Sequence, residues 1–69
     1  MEMINVDSSN IEAVGYDEGS STLQVEFKNG GTYQYFDVPE NIFEGLRDAD
    51  SVGKYLASMI KGSYRYSKV

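Results

Sequence analysis

Cysteine, histidine and tryptophan are all absent from this chain of 69 residues, and proline occurs once. Without cysteine there is no disulfide to tie a small fold, no thiolate to hold a metal, and no redox chemistry. Without histidine the commonest general base, the commonest zinc ligand and any imidazole triad are gone. No apolar run approaches the length of a membrane span, so no membrane contact is expected. The first residues, Met1-Glu2-Met3-Ile4, are acidic and carry no apolar core of a signal peptide, which leaves the cytoplasm as the expected compartment.

What is present is the composition of one globular domain. Apolar residues make up 41% and charged residues 25%, with six tyrosines and three phenylalanines. A chain this short buries only about 60% of its unfolded surface, so its core is small and depends on tyrosine, leucine and isoleucine packing.

Charge is unevenly placed. The net charge is −5. Residues 1–50 hold all eleven acidic side chains against Lys28 and Arg47, a balance of −9. Residues 51–69 hold Lys54, Lys61, Arg65 and Lys68 with no acid, a balance of +4. A basic C-terminal segment can meet a polyanion. It can equally lie against the acidic remainder and neutralise it, or complement a helix C-terminus.

Along the chain, residues 1–8 are polar and irregular and read as a flexible lead-in; residues 9–69 read as a single domain. Ile11 to Tyr16 is a first strand, with Gly15 marking a bulge or a close backbone approach. Asp17 to Ser21 has turn composition. Thr22 to Lys28 alternates cleanly, with Leu23, Val25 and Phe27 on one face. Asn29-Gly30-Gly31 is a hairpin signal, and Thr32 to Val38 follows as the third strand. Two registers compete. A two-residue loop places Thr32, Gln34 and Phe36 on the Leu23/Val25 face. A three-residue loop, Lys28-Asn29-Gly30 with Gly30 at positive φ, places Tyr33 and Tyr35 there. One residue of slip exchanges the faces, and the second register gathers more apolar area. It predicts that the Tyr33 and Tyr35 rings lie under the helices.

Pro39 suits the first position of a helix, and Glu40 in the first turn suits its dipole. Ile42, Phe43 and Leu46 form the apolar stripe, and this helix ends near Asp48. Ser51 is an N-cap. Val52, Tyr55, Leu56, Met59 and Ile60 follow at core spacing, and Gly62 stops the second helix. The tail, residues 63–69, alternates tyrosine with polar residues and reads as an extra edge strand or a loosely held arm. The expected fold is α+β: a three-stranded antiparallel β-meander, then two short helices packed on one face, with that C-terminal edge strand as an addition.

The order of these motifs resembles the KTSC domain, a short module named for the C-terminus of some lysyl-tRNA synthetases. The resemblance runs from about Ser8 to Val69. It rests on Ser9 and Ile11, Val14-Gly15-Tyr16-Asp17, Leu23-Gln24-Val25-Glu26-Phe27 and Asn29-Gly30-Gly31. It continues through Tyr33-Gln34-Tyr35, Val38-Pro39, Ser51-Val52-Gly53-Lys54-Tyr55 and Ile60-Lys61-Gly62-Ser63-Tyr64. The central tyrosine pair followed by Val38-Pro39 is its most specific element. The resemblance implies kinship with small free-standing bacterial and phage proteins of unknown function, and, through the synthetase context, contact with RNA.

Several residue groups are candidate sites. Tyr33 and Tyr35, the family motif, serve either as core rings or as a stacking platform. Lys54, Lys61, Tyr64, Arg65, Tyr66 and Lys68 interleave cations with rings, the pattern of a segment that holds single-stranded nucleic acid. Ser51-Val52-Gly53-Lys54 opens a helix and offers backbone N–H groups to a phosphate, but Asp48 and Asp50 stand just upstream. Asp17, Glu18, Glu26, Asp37 and Glu40 lack the spacing of a calcium loop, and no nucleophile has a base partner. Catalytic residues, metal and cofactor are therefore not expected. Two functions remain: a non-enzymatic module that contacts RNA or another nucleic acid through its basic, tyrosine-bearing C-terminal segment, or a protein–protein interaction module. Oligomeric state is open.

Overall fold

The hairpin register is decided by Gly30. In the computed structural model, which describes all 69 residues, its φ is +100°, a conformation with little cost only for glycine. Phe27 then faces Gly31, and their backbones bond at 2.8 Å. Leu23 pairs with Tyr35 and Val25 with Tyr33, so both tyrosines of the motif stand on the Leu23/Val25 face, as the three-residue loop predicts.

The sheet has five antiparallel strands in sequence order. They are β1 (Met3–Asn5), β2 (Ile11–Asp17), β3 (Thr22–Phe27), β4 (Thr32–Tyr35) and β5 (Tyr66–Lys68). Helix α1 (Glu40–Arg47) and helix α2 (Val52–Tyr55) lie between β4 and β5, and α2 runs on into one π-helical turn, Leu56–Ile60. The meander of three strands is thus extended on both sides. The C-terminal edge strand is present as β5. At the other edge, β1 arises from the segment expected to be an irregular lead-in, with Met3 opposite Gly15 and Asn5 opposite Ala13.

Gly15 accounts for that docking. A Cβ there would sit 2.5 Å from the Met3 sulfur and 2.9 Å from the Glu2 carbonyl oxygen. Close approach, rather than a bulge, is its role. The irregularity of β2 lies between Ile11 and Ala13 instead. The third strand stops at Tyr35, short of Val38, because Asp37 adopts φ +58° and turns the chain. Aspartate tolerates this left-handed conformation better than most residues.

The core lies between the Leu23/Val25 face and the helices. Ile11, Val14, Leu23, Val25, Val38, Leu46, Leu56 and Ile60 are essentially inaccessible to solvent. Each such side chain contributes about 1.5–3 kcal/mol of transfer free energy. The Tyr16 ring stacks on Phe43 with centroids 5.1 Å apart, and its hydroxyl donates to the Val38 carbonyl at 2.5 Å. This anchors the entry to α1 onto β2. Ser51 caps α2, its hydroxyl accepting from the Lys54 N–H at 3.3 Å.

The second helix departs from the expected stripe at one residue. Lys61 N–H bonds to the Leu56 carbonyl five residues back, which widens the last turn. The widening keeps Val52, Leu56 and Ile60 in line on the core and turns Met59 out to 45% exposure. Gly62, at φ +84°, then ends the helical segment.

Candidate nucleic-acid interface

Pairing of β5 with β4 brings the tail beside the central tyrosines. Tyr66 lies opposite Tyr35 and Lys68 opposite Tyr33, so all four side chains share the face that carries Leu23 and Val25. The helices cover only part of that face. Beyond Lys61 and Gly62 it opens into a groove of about 1320 Å³, bounded by the β3–β4 hairpin on one side and β5 on the other.

Four rings and Val69 form the groove's apolar lining. Phe27 meets Tyr33 edge-on with centroids 5.7 Å apart. Tyr66 lies 5.9 Å from Tyr33 and 5.8 Å from Tyr35, tilted against both. Tyr35 is buried and Tyr33 half-buried, so both rings serve core and groove, Tyr35 chiefly the core. Burial, then the neighbouring Tyr33 and Tyr66 phenols, push the Tyr35 hydroxyl above the ordinary tyrosine value.

Three of the four lysines line this groove: Lys28 from the hairpin, Lys61 from the end of the π turn, and Lys68 from β5. The Lys61 ammonium stands over the Phe27 ring, 5.8 Å from its centroid. Such a contact holds the cation near the rings without neutralising it. No acidic side chain lines the groove.

The six residues expected to bind nucleic acid are not all brought together. Lys61, Tyr66 and Lys68 meet in the groove. Arg65 does not, because the strand pleat sends it to the opposite face of the sheet. There it bonds Asp37 at 2.8 Å and lies over the Phe36 ring. That ion pair is exposed on both sides and is worth little. Tyr64 is half-buried against the core, and Lys54 is exposed on α2, outside the groove. Phe27, Lys28 and Tyr33 join the site from the hairpin. The register already put Phe27 and Tyr33 on one face; that β5 would lie beside them required the tertiary pairing.

The remaining candidates form no second site. The N-terminus of α2 is closed by its own Ser51, and α2 proper is only four residues long. Glu26 pairs with Thr32, whereas Asp37 lies beyond the end of β4, so the two are not on adjacent strands. No three acidic side chains converge as metal ligands would. No helix is long and apolar enough to cross a membrane.

Comparison with known proteins agrees with this architecture. Residues 7–64 match the model of the KTSC domain. A crystal structure of a KTSC domain protein from Yersinia pestis superimposes with a TM-score of 0.95 and 35% identity, covering 99% of this chain and 96% of that one. A protein of Tsukamurella paurometabola is 40% identical over 60 residues, 87% of this chain and 90% of its own length. A lysine–tRNA ligase of Nostoc sp. is 36% identical over 67 residues; the match spans 97% of this chain but 12% of the ligase. With its residues matching the family model and its fold shared with a solved member, this chain belongs to the KTSC domain family.

Proposed function

We propose that this chain is a small non-enzymatic module that binds RNA in the groove between the β3–β4 hairpin, β5 and the end of the π turn. The observation that carries this reading is the separation of charge. The chain as a whole is at −5, yet its one ring-lined groove has three lysines and no acidic side chain. A polyanion is attracted to the groove and repelled by the acidic remainder, which favours a single mode of docking. The rings supply faces that bases can stack on. Family context supports the same reading, since proteins named lysine–tRNA ligase contain a stretch similar to this chain.

Anisotropy of a short labelled RNA, titrated at several salt concentrations, tests it. Three lysine–phosphate contacts at about −0.7 each predict a slope of log K against log [salt] near −2. A flat plot, or no binding at low salt, refutes the reading. The second function, a protein-interaction module, draws support from β1 and β5, which end the sheet and leave one backbone edge open each. Capture from a nuclease-treated lysate separates the two, because protein partners survive that treatment and RNA-bridged ones do not.

A further inference from the structure

Tyr66 is the one exposed aromatic ring of the chain, at 62% accessibility. A ring so exposed would ordinarily rotate freely. This one rests on Tyr33 and Tyr35, at 5.9 and 5.8 Å. Those supports are themselves fixed. Tyr35 is 3% exposed, and Tyr33 is wedged edge-on against Phe27. One side of the Tyr66 ring is therefore held and the other is open to solvent, so much of the ordering that a stacking contact demands is already present.

Resting on the RNA-binding reading above, we infer that the occupant is single-stranded, with one unpaired base stacked on the open face of Tyr66. Lys61 and Lys68, which line the same groove, meet the flanking phosphates. A duplex keeps its base faces stacked on one another and offers this site only phosphate, leaving the ring unused. The contact is tolerant of base identity, because every base has a π face.

The test compares three probes of equal charge on the unaltered protein: a single-stranded oligouridylate, the same backbone with abasic sugars, and a duplex. The base-bearing single strand is expected to bind about tenfold or more tightly than the other two. With no tryptophan in the chain, tyrosine emission is read directly and is quenched by the base-bearing strand alone. Tyr66→Ala is expected to weaken that strand about ten- to hundredfold with the salt slope unchanged, while Tyr66→Phe stays within about twofold. Equal affinity for abasic and base-bearing strands, with a slope near −2, overturns the stacking contact and leaves RNA binding standing. Tight duplex binding, or wild-type affinity in Tyr66→Ala, overturns it likewise. Failure of every probe at low salt overturns both readings together.

Discussion

Removing a single oxygen, in Tyr16→Phe, tests how α1 is anchored to the sheet. The Tyr16 hydroxyl spans 22 residues to reach the carbonyl of Val38, a residue with no accessible surface. Phenylalanine keeps the ring and its stack on Phe43, so packing is unchanged and only the hydrogen bond is lost. A buried acceptor left without its donor costs about 1–3 kcal/mol. In a domain of this size each kcal/mol moves the midpoint by about 4–8 °C, so the melting temperature should fall by roughly 4–24 °C. Tyr33→Phe is the matched control: the same atom is removed, but its hydroxyl has no protein partner, and the change should stay within about 0.5 kcal/mol. Thermal melts followed by far-ultraviolet circular dichroism read both variants. If Tyr16→Phe melts with the wild type, the bond does not hold α1 in place and the reasoning fails.

Other outcomes follow from the same geometry. Leu56→Ala leaves a cavity between α2 and the sheet and should cost about 2–5 kcal/mol by urea denaturation, with no collapse able to fill it; a loss under about 1 kcal/mol would mean that the π turn closes over the gap. Gly30→Ala meets no atoms but is forced to φ +100°, so it should destabilise the hairpin by about 1 kcal/mol or more. The neighbouring Glu18 carboxyl, by sharing a proton and then by its charge, raises Glu40 above the ordinary glutamate value. Its folded pKa is raised, so the stability it contributes is present below the ordinary value and is lost as pH rises through the folded one. Melting temperature should therefore decline across that window in the wild type, and Glu18→Gln should flatten the decline. In RNA binding, Lys68→Ala should make the salt slope shallower by about 0.7, whereas Lys54→Ala and Arg65→Ala should leave it unchanged. Equal effects from all three would place the RNA elsewhere.

Much of this architecture was legible in local chemistry. Gly30 admits the positive φ of a three-residue loop, and that alone orders Leu23, Val25, Tyr33 and Tyr35 on one face. Ser51 before Val52 and Gly62 after Lys61 mark the helical boundaries through capping and chain reversal. β1 was not legible, because Met3-Ile4-Asn5 has no alternation to read. It becomes a strand by docking where Gly15 lets another backbone come close. Met59 falls outside the core for a related reason. Its spacing suits an α-helix, and only the bond from Lys61 to Leu56 widens the turn.

Charge and ring content were settled by composition: acid spread over the first fifty residues, four of the six cations in the last nineteen, and neither imidazole nor thiol for catalysis. Which cations act together was settled by the sheet. Residues adjacent in sequence point to opposite faces of a strand, so Arg65 parts from Tyr66, while Lys28 and Tyr33, more than thirty residues from Tyr66, arrive beside it. A linear pattern records which groups are available, but hydrogen bonding between β4 and β5 determines which side chains share a face, and that pairing is long-range.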